Sequence, residues 1–469
     1  MTKPEIHQSL QSAFQIIEQL LGPERLFVDP VTVEAYAADQ TPQRCVPAGV
    51  IFPHSHEDVM NLVCVANEYK LPLVARGAGS GNVGGALPVP GALVVSFERM
   101  DRILEFDADN RVMVVQSGAI TAEIDALARS RGLFYPPDPG SAAYCRIGGN
   151  IAMNAAGPHS LKYGVTRDYV LGLRAVAGDG KSLRTGCRTS KGVVGYDLTR
   201  LLVGSEGTLA LVTEAILRLL PLPATSATLQ ACYKNSAGAC AAVSRVMTQP
   251  VIPAVLEFLD GAALNAVREA RAVADLSTET GAMLIAEVDG APAEVARQAQ
   301  ALVVALRGPG LIQLKQADTP EAITALWAAR HSLSHAVKRL APLKINEDVV
   351  VPVSRLAALV ARIESLAQTY RLIIVAFGHA GNGNLHVNLM VDPDNLREML
   401  RAQLCLRELF AAVLAFGGTL SGEHGIGSEK RQFVPLEIQS ETLALMRAIK
   451  QQFDPNGILN PGKLFPDPL

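Results

Sequence analysis

Three features of the 469-residue sequence predict an α+β protein. Strand and helix patterns interleave in two successive units up to about residue 220. A glycine-rich loop within the first of them joins strand to strand and not strand to helix. Beyond the breaker LPLPATS at 220–226, long helical patterns rich in Ala, Leu, Val and Arg alternate with single strands.

Composition narrows the class of protein. The chain is about three times a usual domain of roughly 150 residues, so two or three domains are expected. Apolar residues make up 49% and charged residues 19%, which excludes a disordered chain. Lys and Arg number 42 against 45 Asp and Glu, for a net charge of −3, and no segment interleaves dense basic residues with aromatics. That pattern excludes a nucleic-acid partner. Cys45, Cys64, Cys145, Cys187, Cys232, Cys240 and Cys405 are scattered and never fall as CxxC. They suit reduced thiols in a cytoplasmic protein and not a disulfide framework, zinc knuckle or iron–sulfur cluster. The N-terminal pattern, with Ile16, Ile17, Leu20 and Leu21 separated by polar residues, is an amphipathic helix and not a signal peptide. No run of eighteen apolar residues occurs, so no spanning helix is expected, while docking on the inner face of a membrane stays open.

In the first unit, Ser55 followed by Asp58 marks a capping-box start for a helix from Ser55 to Lys70. A strand from Leu71 to Arg76, the loop RGAGSGNVGGALPVPG and a strand from Ala92 to Phe97 follow. The second unit has a strand from Arg111 to Gln116, a helix from Thr121 to Arg131 capped by Thr121, and strands near Leu173 to Ala177 and Leu209 to Leu220. Between helix and strands, Pro136 to Asp168 reads as one long loop, and loops of that length in compact domains carry function. The expected domains are 1–221, split near 100; an α+β substrate domain over 222–416 with strands at Ala254 to Leu259, Ala282 to Val288 and Leu372 to Phe377; and a C-terminal segment, 417–469, whose tail FDPNGILNPGKLFP is pinned against another element.

Gly79, Gly81 and Gly84 match G-x-G-x-x-G after a strand. A nicotinamide-binding fold needs a helix to begin there, and Pro88, Pro90, Gly91 and a strand come instead. Two readings remain: a plain turn, or a backbone nest for an anion. A second loop rich in Gly, Ser and Asn at Pro139 to Gly157 suggests that two such loops share one large dinucleotide.

The segments Arg76-Gly77-Ala78-Gly79-Ser80-Gly81, PPDPGS (136–141), IGGNIAMNAAG (147–157), KYGVTRD (162–168) and GSEGTL (204–209) resemble the FAD-binding domain of the vanillyl-alcohol oxidase/p-cresol methylhydroxylase superfamily. The resemblance covers roughly residues 40 to 220. It implies a two-subdomain FAD-binding fold in which residues Arg76 to Gly81 wrap the pyrophosphate. Pro139, Gly140 and Ser141, with Gly148, Gly149, Asn150 and Asn154, would line the flavin, and Glu206, Gly207 and Thr208 would lie near the adenine end. Some members tether the flavin through a histidine in the first loop. Here Ala78, Gly79 and Ser80 stand there, so noncovalent FAD is expected.

Three of the nine histidines fall in FGHAGNGNLHVN (377–388) and SGEHGIG (421–427). Glycines break any helix, so the first segment reads as a tight turn between the Leu372 to Phe377 strand and another at Leu385 to Met390. His386 and Asn388 then face the same way. Imidazole with carboxylate suits zinc, and two His with one Glu leave open positions, so His379, His386 and Glu423 are the chosen ligand set. In an extended segment Glu423 and His424 point in different directions, leaving His424 as a base. Structural histidines in a glycine-rich turn are the alternative. In WAARHSLSHAVKRLAPLKINEDVVVP (327–352) a helix places Arg330 and Ser334 on one face, with Lys344 in a following loop. A guanidinium suits a bidentate grip on a carboxylate.

Both histidine motifs and the closing FDPNGILNPGKLF resemble the FAD-linked oxidase C-terminal domain of D-2-hydroxy acid dehydrogenases, a family that includes D-lactate, glycolate and D-2-hydroxyglutarate dehydrogenases. The resemblance implies a substrate domain with a mainly antiparallel sheet. It implies His379, His386 and Glu423 as ligands of a divalent metal such as zinc, and His424 as base. Arg330, Ser334, Lys344 and Asn388 would contact substrate, and Asn460 the cofactor. Asn382 stands where the family commonly has Asp, and Arg146 where a small hydroxyl residue is common. The expected activity is FAD-dependent oxidation of a small D-2-hydroxy acid to the 2-oxo acid, with D-lactate or glycolate ahead of D-2-hydroxyglutarate or D-malate. Electrons would pass to an electron-transferring flavoprotein, a quinone or a cytochrome, and association as a homodimer stays open. The alternatives are a flavin reductase on the same FAD fold, a non-catalytic electron-transfer subunit and a zinc hydrolase without flavin.

Overall fold

A computed structural model describes residues 3–273 and 276–467 of the chain. The described residues form two compact units: 3–156, 165–222 and 423–467 in the first, and 157–164, 223–273 and 276–422 in the second.

The first unit holds two main sheets. Strands β1 (Leu26–Phe27), β2 (Gly49–Ile51), β3 (Leu73–Arg76) and β4 (Leu93–Ser96) make a four-stranded sheet in the order β1-β2-β4-β3, with β2, β4 and β3 parallel. The helix His56–Tyr69 supplies the crossover. Its expected start is observed: Ser55 accepts from the Asp58 amide at 3.1 Å, and the Asp58 carboxylate accepts in turn from the Ser55 amide. Its buried face, Val59, Leu62, Val63 and Ala66, packs on the core with Leu73, Leu93 and Val95.

Strands β5 (Ile103–Asp107), β6 (Val112–Gln116), β8 (Val170–Ala177), β9 (Ser182–Gly186) and β10 (Ala210–Arg218) form an antiparallel sheet in the order β5-β6-β10-β8-β9, and β7 (Leu133–Phe134) pairs with β11 (Leu220–Pro221). The C-terminal tail is pinned along β3. Leu73 donates to Ile458 O at 2.8 Å, Asn460 donates to Leu73 O at 2.7 Å, and the Asp454 carboxylate accepts from the Ile458 and Leu459 amides.

The second unit is built on one seven-stranded antiparallel sheet. Its strands are β12 (Thr225–Tyr233), β13 (Val255–Leu259), β14 (Ala282–Gly290), β15 (Leu311–Ala317), β16 (Leu343–Val350), β17 (Ile373–His379) and β18 (Asn384–Val391), in the order β15-β12-β14-β13-β17-β18-β16. Helices Gly261–Glu269 and Pro320–Val337 contribute Ala263, Val267, Trp327 and Leu333 to the core over β13, β14 and β17. All of β13 and β18 is buried, so a polar side chain on either must find a partner inside.

Several expectations change. The helix near residue 121 runs Thr121–Arg129, and its cap is Ile120; the Thr121 hydroxyl instead accepts from Asn150 Nδ2 at 2.7 Å. The long loop contains three short helices, Ile147–Met153, Ser160–Tyr163 and Thr166–Tyr169. Residues 157–164 belong with the second unit because Lys162 donates to Asp289 O at 2.9 Å and Tyr163 OH to Asp289 Oδ2 at 2.8 Å. The second unit also extends past 416 to Gly422, since Val350 and Thr419 exchange backbone hydrogen bonds. Lys344 lies in strand β16 and not in a loop, paired opposite Met390.

Asp260 gives the second unit a pH dependence. Its carboxylate caps the helix Gly261–Glu269 through the Ala263 amide at 2.7 Å and accepts from the Ala376 amide of β17 at 2.9 Å. Burial pushes its pKa up to about 7, against those bonds. Because the folded value lies above the unfolded one of about 3.9, the folded state binds the extra proton, and this contribution is full at low pH and lost as pH rises through 7. Asp260→Asn should therefore flatten the fall in melting temperature of the full chain between pH 5 and 8, and an unchanged pH profile would remove Asp260 as its source.

Candidate active site

The glycine loop leaves the end of β3, and no helix follows it before β4. Gly79 has φ +65°, and an added Cβ there would sit 2.3 Å from Arg76 Nη2, so the guanidinium lies directly under the loop. Arg76 is buried, donates to Ala38 O at 2.8 Å and stacks over the Tyr36 ring at 5.3 Å. Its charge therefore lies beneath the loop. The backbone amides of Gly77, Ala78, Gly79, Ser80 and Gly81 donate to no acceptor among the described residues. Amides left open over a buried guanidinium form an anion-binding nest.

The second loop adjoins the first: a Cβ on Gly77 would meet Gly149 N at 3.6 Å. Gly81, Gly140 and Gly149 face open space, where a Cβ would meet nothing within 4 Å. Gly148 packs against Ser117, and Ser141 O accepts from the amides of Tyr144 and Cys145 beside Pro139. The open donors and the bare glycine faces fit the phosphates and ring of a dinucleotide.

The other expected cofactor residues make contacts within the first unit. Asn150 reaches Thr121, and Asn154, at φ +51°, accepts from the Arg167 amide at 2.9 Å. Buried Glu206 accepts from the amides of Ile426 and Gly427, both at 2.7 Å. Asn460 Nδ2 donates to Glu206 O at 2.6 Å and Gly85 O at 3.0 Å, next to Gly207, and Thr208 bonds Ser205 O. These residues tie the tail to both loops.

In the second unit His379 ends β17 and His386 lies in β18, with ring centroids 5.4 Å apart, edge to face. Both are 6% exposed. Each has a carboxylate directly opposite on the next strand: Glu257 pairs with His379 across β13 and β17, and Asp348 with His386 across β16 and β18. Glu257 is wholly buried; Oε1 bonds His379 Nδ1 and Oε2 accepts from Arg330 Nε at 2.7 Å. Burial alone would raise its pKa, but the charges and hydrogen bonds of His379 and Arg330 outweigh it and hold Glu257 well below the usual carboxylate range.

Asp348 Oδ1 lies 3.9 Å from His386 Nδ1 and accepts from Asn384 Nδ2 at 2.6 Å, while Oδ2 accepts from Gly422 N at 2.8 Å and Ser421 Oγ at 3.1 Å. Asn388 Nδ2 donates to Val375 O at 3.2 Å, and its Oδ1 is buried with no hydrogen-bond partner. Two buried imidazoles, one with its Nδ1 already engaged by a carboxylate, are a donor set suited to a divalent metal.

Arg330 stacks over Phe377 at 5.1 Å, whereas Ser334 on the same helix is exposed. Lys344 is half-buried, and burial and Lys338 both lower its pKa. In the first unit His424 Nε2 is 3.7 Å from Glu423 Oε1. The predicted divergence of these two side chains is corrected, because the chain bends at residues 422–424 and is not extended.

Sequence reasoning missed Glu257, Asp348 and Asn384. The signal was present: AVLEFLD and INEDVVV each place acids within apolar strands, where burial without a partner costs several kcal/mol.

Residues 222–464 match the family described as FAD linked oxidases, C-terminal domain, and residues 47–186 match an FAD binding domain. The chain is 41% identical over 448 residues to the glycolate oxidase subunit GlcD of Bacillus subtilis, covering 95% of each chain. It is 33% identical over 456 residues to a D-lactate dehydrogenase of Anaerostipes hadrus, again covering 95% of each. Among solved structures, p-cresol methylhydroxylase with substrate bound shares the fold, with a TM-score of 0.82 at 17% identity over 100% of this chain and 98% of that one. No helix among the described residues is long and apolar enough to cross a membrane. With an open anion nest in one unit and a carboxylate-backed histidine pair in the other, the chain belongs to the FAD-linked oxidases and is an FAD-dependent oxidoreductase of the glycolate and D-lactate dehydrogenase type.

Proposed function

We propose that the chain oxidises a small D-2-hydroxy acid, of D-lactate or glycolate size, to the 2-oxo acid and passes the electrons to a protein or quinone acceptor. The observation that carries this reading is that one buried carboxylate, Glu257, is joined to both His379 and Arg330. It draws together an imidazole suited to a metal and a guanidinium suited to a carboxylate. Relatives named for glycolate and D-lactate point the same way.

In this reading His379, His386 and Glu423 hold a divalent metal such as zinc. Chain continuity supports Glu423: its neighbour Gly422 is fixed to Asp348, opposite His386. A metal held there would supply Lewis-acid activation of a hydroxyl, and FAD would supply the hydride acceptor. Arg330 grips the substrate carboxylate through its terminal nitrogens, helped by Lys344 and, at the helix surface, Ser334. Asn388 offers its open Oδ1 to the substrate side. His424 takes the hydroxyl proton at Nε2, beside the Glu423 carboxylate, which stabilises the imidazolium. Pro139, Gly140, Ser141, Gly148 and Gly149, with the loop Gly77 to Gly81, would hold noncovalent FAD.

Anaerobic titration of the purified flavoprotein with D-lactate, L-lactate, glycolate, D-malate and D-2-hydroxyglutarate tests the substrate class. Bleaching of the flavin absorbance by D-lactate or glycolate is expected; a flavin that none of the five reduces would overturn the proposal. His424→Ala should keep its flavin and lose about 10²-fold or more in kcat, and wild-type turnover would refute the base assignment. Chelation should abolish turnover until zinc is restored; full activity in verified metal-free protein would remove the ion from the mechanism. Gly79→Ala forces a left-handed side chain onto Arg76, at about 1–2 kcal/mol, and should purify with a lower ratio of flavin to protein absorbance.

A further inference from the structure

We propose that Glu257 is the positioning residue shared by both halves of this site, orienting His379 through one oxygen and Arg330 through the other. The inference rests on the functional reading above and adds a residue to it.

The geometry requires such a role. Glu257 sits opposite His379 in the β13/β17 ladder, and cross-strand neighbours of this kind stand within direct reach of each other. An ionised carboxylate only accepts hydrogen bonds, so its contact with His379 Nδ1 places the ring proton on that nitrogen. The lone pair is then on Nε2, which becomes the ligand atom, and the ring cannot rotate to offer the other nitrogen.

Oε2 takes Arg330 by Nε alone, at 2.7 Å. The Arg330 Nη nitrogens make no hydrogen bond among the described residues, and the side chain stays 18% exposed. The guanidinium plane is held from a second side by the Phe377 ring at 5.1 Å. Phe377 also lies against His386 at 5.5 Å. A fork fixed at its Nε and stacked on one face is preorganised to grip a carboxylate with its two free nitrogens. A carboxylate serving only to stabilise the sheet would not need two hydrogen-bond donors from separate elements, since an apolar side chain in that strand is at least as stable.

The test uses the full-length flavoprotein. Wild type, Glu257→Gln and Arg330→Lys are stripped of metal by dialysis against a chelator and titrated with zinc in competition with a chromogenic chelator. KM and kcat for D-lactate and glycolate are measured on the zinc-loaded proteins. Glutamine accepts from only one of the two donors and turns an N–H toward the other. Glu257→Gln is therefore expected to weaken zinc by about 10–100-fold and to raise KM by about tenfold, with flavin content unchanged. Arg330→Lys should raise KM and leave zinc affinity at the wild-type value.

Wild-type zinc affinity together with wild-type KM in Glu257→Gln overturns the proposal. If the wild-type protein itself takes up no zinc, the metal reading fails separately, and the KM of Glu257→Gln still decides the Arg330 half. If Glu257→Gln loses flavin or melts early, Glu257→Asp replaces it. That variant keeps the charge but is one methylene too short to span both partners, so unchanged zinc affinity and KM there refute the shared anchor as well.

Discussion

An ionised carboxylate at the centre of an antiparallel sheet is tolerable only where its donors are already in place, and Glu257 meets this condition twice. On its own strand the other residues, Val255, Leu256, Phe258 and Leu259, are apolar and all buried. Removing either donor would leave buried charge uncompensated, so the register of β13 against β17 and the seat of the helix Pro320–Val337 are set by the same contact. A slip of one residue would turn Glu257 to the opposite face of the sheet. Asp348 repeats the device on β16, but uses it differently. Its oxygens are engaged by Asn384, Ser421 and Gly422, and so fix the chain at the point where it leaves the second unit.

The first unit obeys the opposite rule, in that its functional loop keeps donors open. Amides from Gly77 to Gly81 stay without acceptors because the backbone that carries them is held elsewhere. The tail lies along β3, Asn460 ties Gly85 to Glu206, and Glu206 closes on Ile426 and Gly427. Lys450 adds bonds to Thr208 O at 2.6 Å and Leu459 O at 2.9 Å. Hydrogen bonds among the tail, Glu206 and Gly85 hold the backbone around the loop while its own amides stay open among the described residues.

Short-range signals were read correctly in the sequence. The capping box at Ser55, the strand-to-strand setting of the glycine loop, the turn between His379 and His386 and the breaker at 220–226 each depend on a few adjacent residues. Strands β12, β15 and β16 were not read, and neither was Lys344 as a strand residue. The β15 sequence LIQLKQA is half polar because it lies at the sheet edge, and LKINEDVV in β16 carries charges that only its partners explain. The helix over 147–153 was hidden by its two glycines, and the bend at 422–424 by the assumption of an extended chain.

The sequence by itself determined the family, an FAD-linked oxidoreductase, through glycine loops without a following helix and two short histidine motifs. These are local because backbone conformation and donor chemistry are properties of a few neighbouring residues. Only the tertiary structure decided which side chains act as frame and which face outward. Glu257, about 120 residues before His379 and about 70 before Arg330, meets both because strand order brings β13 between β14 and β17. Hydrophobic patterning records that a strand is buried, but not which strand lies beside it. The partner of a buried charge is therefore set by topology.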